Sequence, residues 1–427
     1  MDALDIWMME SIKLYKELLM FNLQQPTSVI EWMQDDAICV AGSSGTSQNE
    51  ILELGLPGKL LVDPDAGGIH KDRDFDVRCG GFCDHAIQCL QAFPGERLVA
   101  TSAVQASKVT ISMVGQANSD LIQEVSTINL KSCESTNRLS MDRRPHHKAH
   151  LAFARSCSSL RITDVISQDS IYETDGSSEE LCGVKFLDSN SLILSTNTTG
   201  SFQTVDVREK SHTTGAQNQN GENKMSIGYS CDKPGTGNMA EESRPAGQLK
   251  VDSNSSSAHC VTPGNCMTPR IDVFKDRDIA STGQQPNSLN FIFDVAPGGS
   301  AGSDHPIVQL HASGQLNLLD LRNLTKPCKS WKLGVLSGSS PYLKVKFEPN
   351  QSDVISISGF NNRVYIFDLK NAATSTDLKP VFVHDGHMNS ELVLSHTWHP
   401  TVRDLVLSSD NEGSLHAWKW NRNYVLK

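Results

Sequence analysis

Three histidines, His146, His147 and His150, stand close together in the stretch HHKAH. Imidazole is a common metal ligand, so this cluster is the first place to look for chemistry. No Cys, Asp or Glu lies nearby at a matching ligand spacing, and Arg143 and Arg144 would repel a cation. The cluster therefore reads as structural or surface histidine, and no metal site is expected. Cys79, Cys83 and His85 form C-x3-C-D-H. A zinc knuckle needs a second close pair of ligands, and none is visible, so these read as loop thiols beside buried strand residues. Glycines cluster at Gly42–Gly45 and Gly298–Gly302, but neither run has the G-x-x-x-x-G-K spacing that cradles phosphate, and no nucleotide cofactor is expected. Gly176-Ser177-Ser178-Glu179 likewise lacks G-x-S-x-G. No catalytic residue is assigned.

The elements that would position any site come from a repeat. Tyr342–Pro349 reads YLKVKFEP, Asp353–Ser358 reads DVISIS and Arg363–Leu369 reads RVYIFDL. One step on, the chain reads LVLSHTWHP over Leu392–Pro400, DLVLS over Asp404–Ser408 and GSLHAWKW over Gly413–Trp420. Each short run alternates or stays apolar over about five residues, as β-strands demand. Phe347–Pro349 and Trp398–Pro400 occupy the same place in the two copies. The third-strand ending Phe367-Asp368 or Trp418-Lys419 recurs as Leu319-Asp320, Val205-Asp206 and Thr163-Asp164, and more weakly as Ser112-Met113 and Leu52-Glu53. Successive steps are about 60, 51, 42, 114, 48 and 51 residues. A propeller blade takes about 40–45 residues plus loops. The expectation is an all-β chain: a single seven-bladed β-propeller over residues 25–427.

Two segments lie outside the repeat. Leu4, Trp7, Met8, Ile12, Tyr15, Leu18 and Leu19 recur at steps of three and four, which predicts an amphipathic helix within residues 1–24, ending near Asn22. Residues 211–285, between the fourth and fifth copies, are crowded with Ser, Thr, Asn, Gln and Gly. Such a segment buries too little apolar area to offset its ordering entropy, so it is expected to be disordered.

The chain has 427 residues, a net charge of −11 and 38% hydrophobic residues. Net acidity argues against direct nucleic-acid binding, which needs concentrated Lys and Arg. No stretch approaches the roughly 20 continuous apolar residues of a membrane-spanning helix. The 11 cysteines are odd in number and irregularly spaced, which fits free thiols in a reducing compartment, cytoplasm or nucleus.

The repeat resembles the WD-repeat family. Gly386-His387 matches the family's Gly-His dipeptide, Trp418-Lys419 its Trp-Asp ending with Lys in place of Asp, and Phe367-Asp368 keeps the Asp. In that family a His, a turn Asp, a Ser or Thr and the Trp form a hydrogen-bonded set within a blade. Here Glu412 stands at the expected Asp slot, so the set is expected to be incomplete. Gly386, His387, Phe367, Asp368, Trp398 and Trp418 are accordingly structural candidates. Val29–Trp32, Asn49–Pro57, the block RDFDVRCGGF over Arg73–Phe82 and the C-terminal repeat further resemble one member group of the family. That resemblance implies a cytoplasmic, non-enzymatic scaffold associated with maturation of the Integrator complex's RNA endonuclease heterodimer. It also implies association with microtubules and spindle poles, although this chain is acidic, as tubulin is. Propeller hydrolases usually add a lid or hydrolase domain, and no such domain is visible. Candidate protein-contact residues are Trp7 and Tyr15 on the N-terminal stripe, and Arg73, Asp74, Arg78 and Phe82, where Arg suits bidentate carboxylate contacts.

Overall fold

A computed structural model of the chain describes residues 11, 13–43, 49–61, 74–103, 107–116, 119–130, 138–174, 178–208, 289–297, 305–334, 336–370 and 378–422. Residues 1–211 and 266–427 cluster into one unit, to which everything below belongs. The second unit, residues 212–265, and the whole of the expected disordered insertion lie outside the described residues.

The regular secondary structure of the described residues is almost entirely β. The first strand is β1 (Tyr15–Asn22). Then come β2 (Thr27–Gln34), β3 (Ala37–Gly42), β4 (Asn49–Gly55) and β5 (Asp76–Cys83), followed by β6 (Ile87–Phe93), β7 (Leu98–Ala103), β8 (Lys108–Gln116) and β9 (Ser119–Asn129). The next antiparallel sheets are β10 (Ser140–Arg143), β11 (His150–Ala154), β12 (Arg161–Asp164) and β13 (Ser170–Glu173), then β14 (Leu181–Phe186), β15 (Ser191–Thr196) and β16 (Phe202–Asp206). They are followed by β17 (Phe291–Val295), β18 (Pro306–His311), β19 (Gln315–Asp320) and β20 (Lys329–Lys332), and by β21 (Lys344–Glu348), β22 (Gln351–Ser358), β23 (Val364–Asp368) and β24 (Phe382–His384). The chain ends in β25 (Val393–Trp398), β26 (Leu405–Asp410) and β27 (Ser414–Trp420).

Each sheet is a meander of sequential strands, with two exceptions. The sheets β2–β5 and β6–β9 join through one parallel bridge between their last strands, Gly80 to Leu121, into an eight-stranded order. Glycine is required there: a Cβ on Gly81 would stand 2.5 Å from the Ile122 carbonyl oxygen. The other exception is the last sheet, whose order is β1-β27-β26-β25. All seven expected third-strand endings, from Leu52-Glu53 to Trp418-Lys419, fall on the third strand of their sheets (β4, β8, β12, β16, β19, β23 and β27).

The first strands of successive sheets touch in a closed cycle, β2 to β6, β10, β14, β17, β21, β25 and back to β2. Each junction holds its own buried apolar cluster. Ile51, Leu90 and Val99 lie between the first two sheets, for example, and Leu310, Phe347 and Phe367 lie between the sheets that begin with β17 and β21. Sheets stacked through alternating apolar faces bury most of what holds such a fold together. The architecture is all-β and consistent with a propeller.

The helix expected to run to Asn22 is corrected. Helical geometry reaches Leu14, and Tyr15–Asn22 is then a strand paired antiparallel with β27, Leu18 opposite Trp418 and Phe21 opposite Leu415. The apolar residues at steps of three and four also contain an alternation, since Tyr15, Glu17, Leu19 and Phe21 are the more buried set. An open edge of unpaired N–H and C=O groups on β27 decides between the two, because a strand satisfies it and a helix cannot. Residues 1–10, including Trp7, lie outside the described residues.

Candidate interaction surface and buried polar sites

The last sheet carries a complete hydrogen-bonded set. The Trp418 indole Nε1–H donates to Ser408 Oγ at 3.1 Å. Ser408 Oγ and His387 Nε2 are 2.9 Å apart, and His387 Nδ1 lies 2.7 Å from Asp410 Oδ2. Asp410 Oδ1 accepts the backbone N–H groups of Glu412 and Ser414, so one carboxylate anchors both the histidine and the β26–β27 turn. The expectation of an incomplete set built around Glu412 is corrected: the acid is Asp410, at the end of β26. Burial works to raise the Asp410 carboxyl, but the His387 imidazole overcomes it and holds the group below its usual value.

Trp398 and Phe367 are buried core residues, and Asp368 caps the chain beyond β23 by accepting the Lys370 N–H. The sheet β21–β24 is tied to the last sheet instead of closing its own set. Ser356 Oγ receives the Trp398 indole N–H at 2.7 Å and sits 2.7 Å from His396 Nε2, while Ser358 Oγ lies 2.6 Å from His396 Nδ1. Burial pushes the His396 pKa well down, so the ring is neutral.

Among the described residues, His384, His387 and His416 form a group close enough to hold a metal ion. Each ring nitrogen already has a hydrogen-bond partner. Tyr15 OH lies 2.7 Å from His384 Nδ1, His384 Nε2 lies 3.0 Å from His416 Nδ1, and His416 Nε2 lies 2.8 Å from Ser414 Oγ. A metal would have to displace this chain of bonds. Burial pushes His384 well down and His416 down to about 2, with neighbouring histidines adding to the shift, so both rings stay neutral.

The clusters singled out in the sequence are placed as follows. His147 and His150 stack at 4.3 Å, and His150 sits between Arg144 and Asp164. Burial, then the neighbouring cations, lowers the pKa of both rings. Cys79 is buried on β5 with Arg97 4.0 Å from its sulfur, and burial pushes both Cys79 and Cys83 up, away from the thiolate form. Arg97 belongs to a neighbouring ion pair, a fork onto the fully buried carboxylate of Glu53 that links β4 to the β6–β7 turn.

Of the expected contact residues, Asp74 is exposed, Phe82 is 71% exposed, and Arg78 is half-buried and paired with Asp36 at 2.8 Å. Tyr15 is corrected from contact residue to core: it is buried, edge-on to Phe382 and bonded to His384. Arg73 lies outside the described residues. Val77 on β5 and Leu121 and Val125 on β9 are also exposed, so the outer edge where these strands meet carries exposed apolar residues among exposed Asp76, Asp120, Gln123 and Glu124. Sequence reading missed Leu121 and Val125, because apolar residues in an alternating run look like core until the buried parity is known.

The cycle of first strands encloses a cavity of about 230 Å³, lined by at least one residue from each of β2, β6, β10, β14, β17, β21 and β25. Glu31, Arg138, Asp142, Lys185, Lys344 and Lys346 bring charge to it. Sequence reading missed it too, since these residues come from four separate repeats.

An all-β chain of meandering sheets, with the Trp–Ser–His–Asp set closing the last of them, defines a WD-repeat protein of β-propeller-like fold. No family model matches the chain. Curated relatives align along nearly its whole length. "Integrator complex assembly factor WDR73" of Danio rerio is 30% identical over 439 residues, covering 98% of this chain and 97% of the relative. The Mus musculus protein of the same name is 30% identical over 442 residues and the Homo sapiens protein 29% over 438, each covering 98% of both chains. The chain belongs to the WD repeat-containing protein 73 family.

Proposed function

We propose that this chain is a non-enzymatic scaffold that assists assembly of the Integrator complex by holding its RNA endonuclease heterodimer in the cytoplasm. The observation that carries the reading is the near-full-length relationship to proteins named as Integrator complex assembly factors. The cycle of contacts among first strands, each junction with its own apolar cluster, supports a seven-bladed propeller as the scaffold. Burial holds His384, His396 and His416, and Cys39 and Cys79, toward their neutral forms, which suits a structural role better than acid–base or thiolate chemistry.

The proposed contact surface is the outer edge of β5 and β9. Exposed Phe82, Val77 and Leu121 offer apolar anchors, and Arg78 offers a guanidinium beside them. Interfaces favour such aromatic and Arg residues, and a half-exposed ion pair like Arg78–Asp36 contributes only about 0–1 kcal/mol to folding. Phe82→Glu and Arg78→Glu should therefore weaken capture of the purified endonuclease heterodimer by about tenfold or more. Their melting temperatures should stay close to that of the parent. Unchanged capture by both variants would remove this edge from the interface, and RNA cleavage by the purified chain alone would overturn the non-enzyme reading.

A further inference from the structure

Around the cavity ringed by the first strands, four cations, Arg138, Lys185, Lys344 and Lys346, stand against three carboxylates, Glu31, Asp142 and Asp294. Lys185 is paired with Asp294 at 2.9 Å. The other three cations have no carboxylate partner among the described residues. Arg138 donates to the Pro341 carbonyl, Lys344 Nζ donates to Ser395 Oγ at 2.7 Å, and among the described residues the Lys346 ammonium has no hydrogen bond or ion pair. Two carboxylates, Glu31 and Asp142, line the same cavity, but neither forms an ion pair with these three cations among the described residues. Glu31 accepts from Gln91 Nε2 and Asp142 from the Phe186 N–H, and burial pushes both carboxyls up, against ionisation. Burial, Lys346 and Arg138 together push Lys344 down to about 7, and Lys185 and burial push Lys346 down against the opposing pull of Asp294, Glu31 and Asp142. Cations placed this way oppose one another, and a buried charge without a counter-charge is costly.

We propose that this cavity binds a small soluble polyanion of the condensed-phosphate class, its oxygens seated between Arg138, Lys344 and Lys346. A guanidinium fork beside two ammonium groups suits an oxyanion with several negative oxygens better than one carboxylate. The volume is far above the ~10–15 Å³ that a single water needs. The site is independent of the outer edge assigned to the protein partner.

Inorganic tripolyphosphate is the probe. Titrated calorimetrically into the full chain at fixed ionic strength, it should bind at one saturable site. The double variant Lys344→Gln, Lys346→Gln should lose at least about tenfold in affinity, since two charge-assisted contacts go. Without anion it should melt no lower than the parent, because a repulsive pair has been removed. Affinity should also fall more between pH 6 and pH 8.5 in the parent than in Lys344→Gln. Lys344 loses its charge over this range, and the probe's own titration is common to both proteins. The other groups facing Lys344 are Glu31 on β2, Cys89 on β6, Lys346 on β21 and His396 on β25, with Arg138 before β10. Asp142 on β10, Lys185 on β14 and Asp294 on β17 complete the cavity's charges. The Lys344→Gln comparison isolates the one group from all of them. Absence of saturable binding, affinity unchanged in the double variant, or tighter binding of an oligoglutamate peptide would overturn the assignment.

Discussion

Trp418 is fully buried, and its N–H is the donor that begins the Ser408–His387–Asp410 chain. Trp418→Ala removes a large apolar volume and that donor together. It should cost about 3–5 kcal/mol, seen as a lowered denaturant midpoint at unchanged m-value. A midpoint near that of the parent would contradict the packing described. The buried neutral histidines make a second prediction. His384, His396 and His416 have folded-state pKa values below the ordinary histidine value, so in acid the unfolded chain binds protons that the folded chain refuses. Stability is therefore complete above about pH 6.5 and falls as pH drops below it, by up to about 1.4 kcal/mol per pH unit for each such histidine. Thermal melts between pH 7.5 and 5 should show the decline, and a flat profile would mean that these rings are solvated. At this scale Gly386-His387 and Trp418 were legible because their types match a repeat. Asp410 was not: two acids stand two residues apart, and only the turn geometry, with Gly413 at φ +84°, decides which one faces the histidine.

Element by element, the strands were the most legible part, because apolar alternation and a fixed step place third-strand endings without knowledge of tertiary contacts. The N-terminal strand was not. Its partner, β27, lies about 400 residues along the chain, and nothing local reports an open sheet edge. The closure joins the two ends of the chain in one sheet, and Tyr15 extends it by bonding His384 of β24 in the neighbouring sheet. Tyr15→Phe keeps the ring's packing against Phe382 but leaves a buried histidine nitrogen unpaired, at a cost of about 1–3 kcal/mol. Amide exchange should show this first as lost protection along Tyr15–Asn22 and β27. Unchanged protection there would separate the Tyr15 bond from closure.

At the scale of the described unit, sheets meet through apolar junctions, and part of the fold's charge lies in the central cavity or in ion pairs between sheets. The Glu348–Arg422–Asp404 set, for example, ties β21 to residues flanking β26 and β27. The scaffold role proposed for this chain would use the exposed Phe82 and Leu121 on the outer edge of β5 and β9. The most direct measurement of the central claim is the yield of assembled Integrator endonuclease heterodimer in cells depleted of this chain, with re-expression of the parent or of Phe82→Glu. The account predicts a reduced yield that the parent restores and Phe82→Glu restores poorly. A yield unaffected by depletion would contradict it.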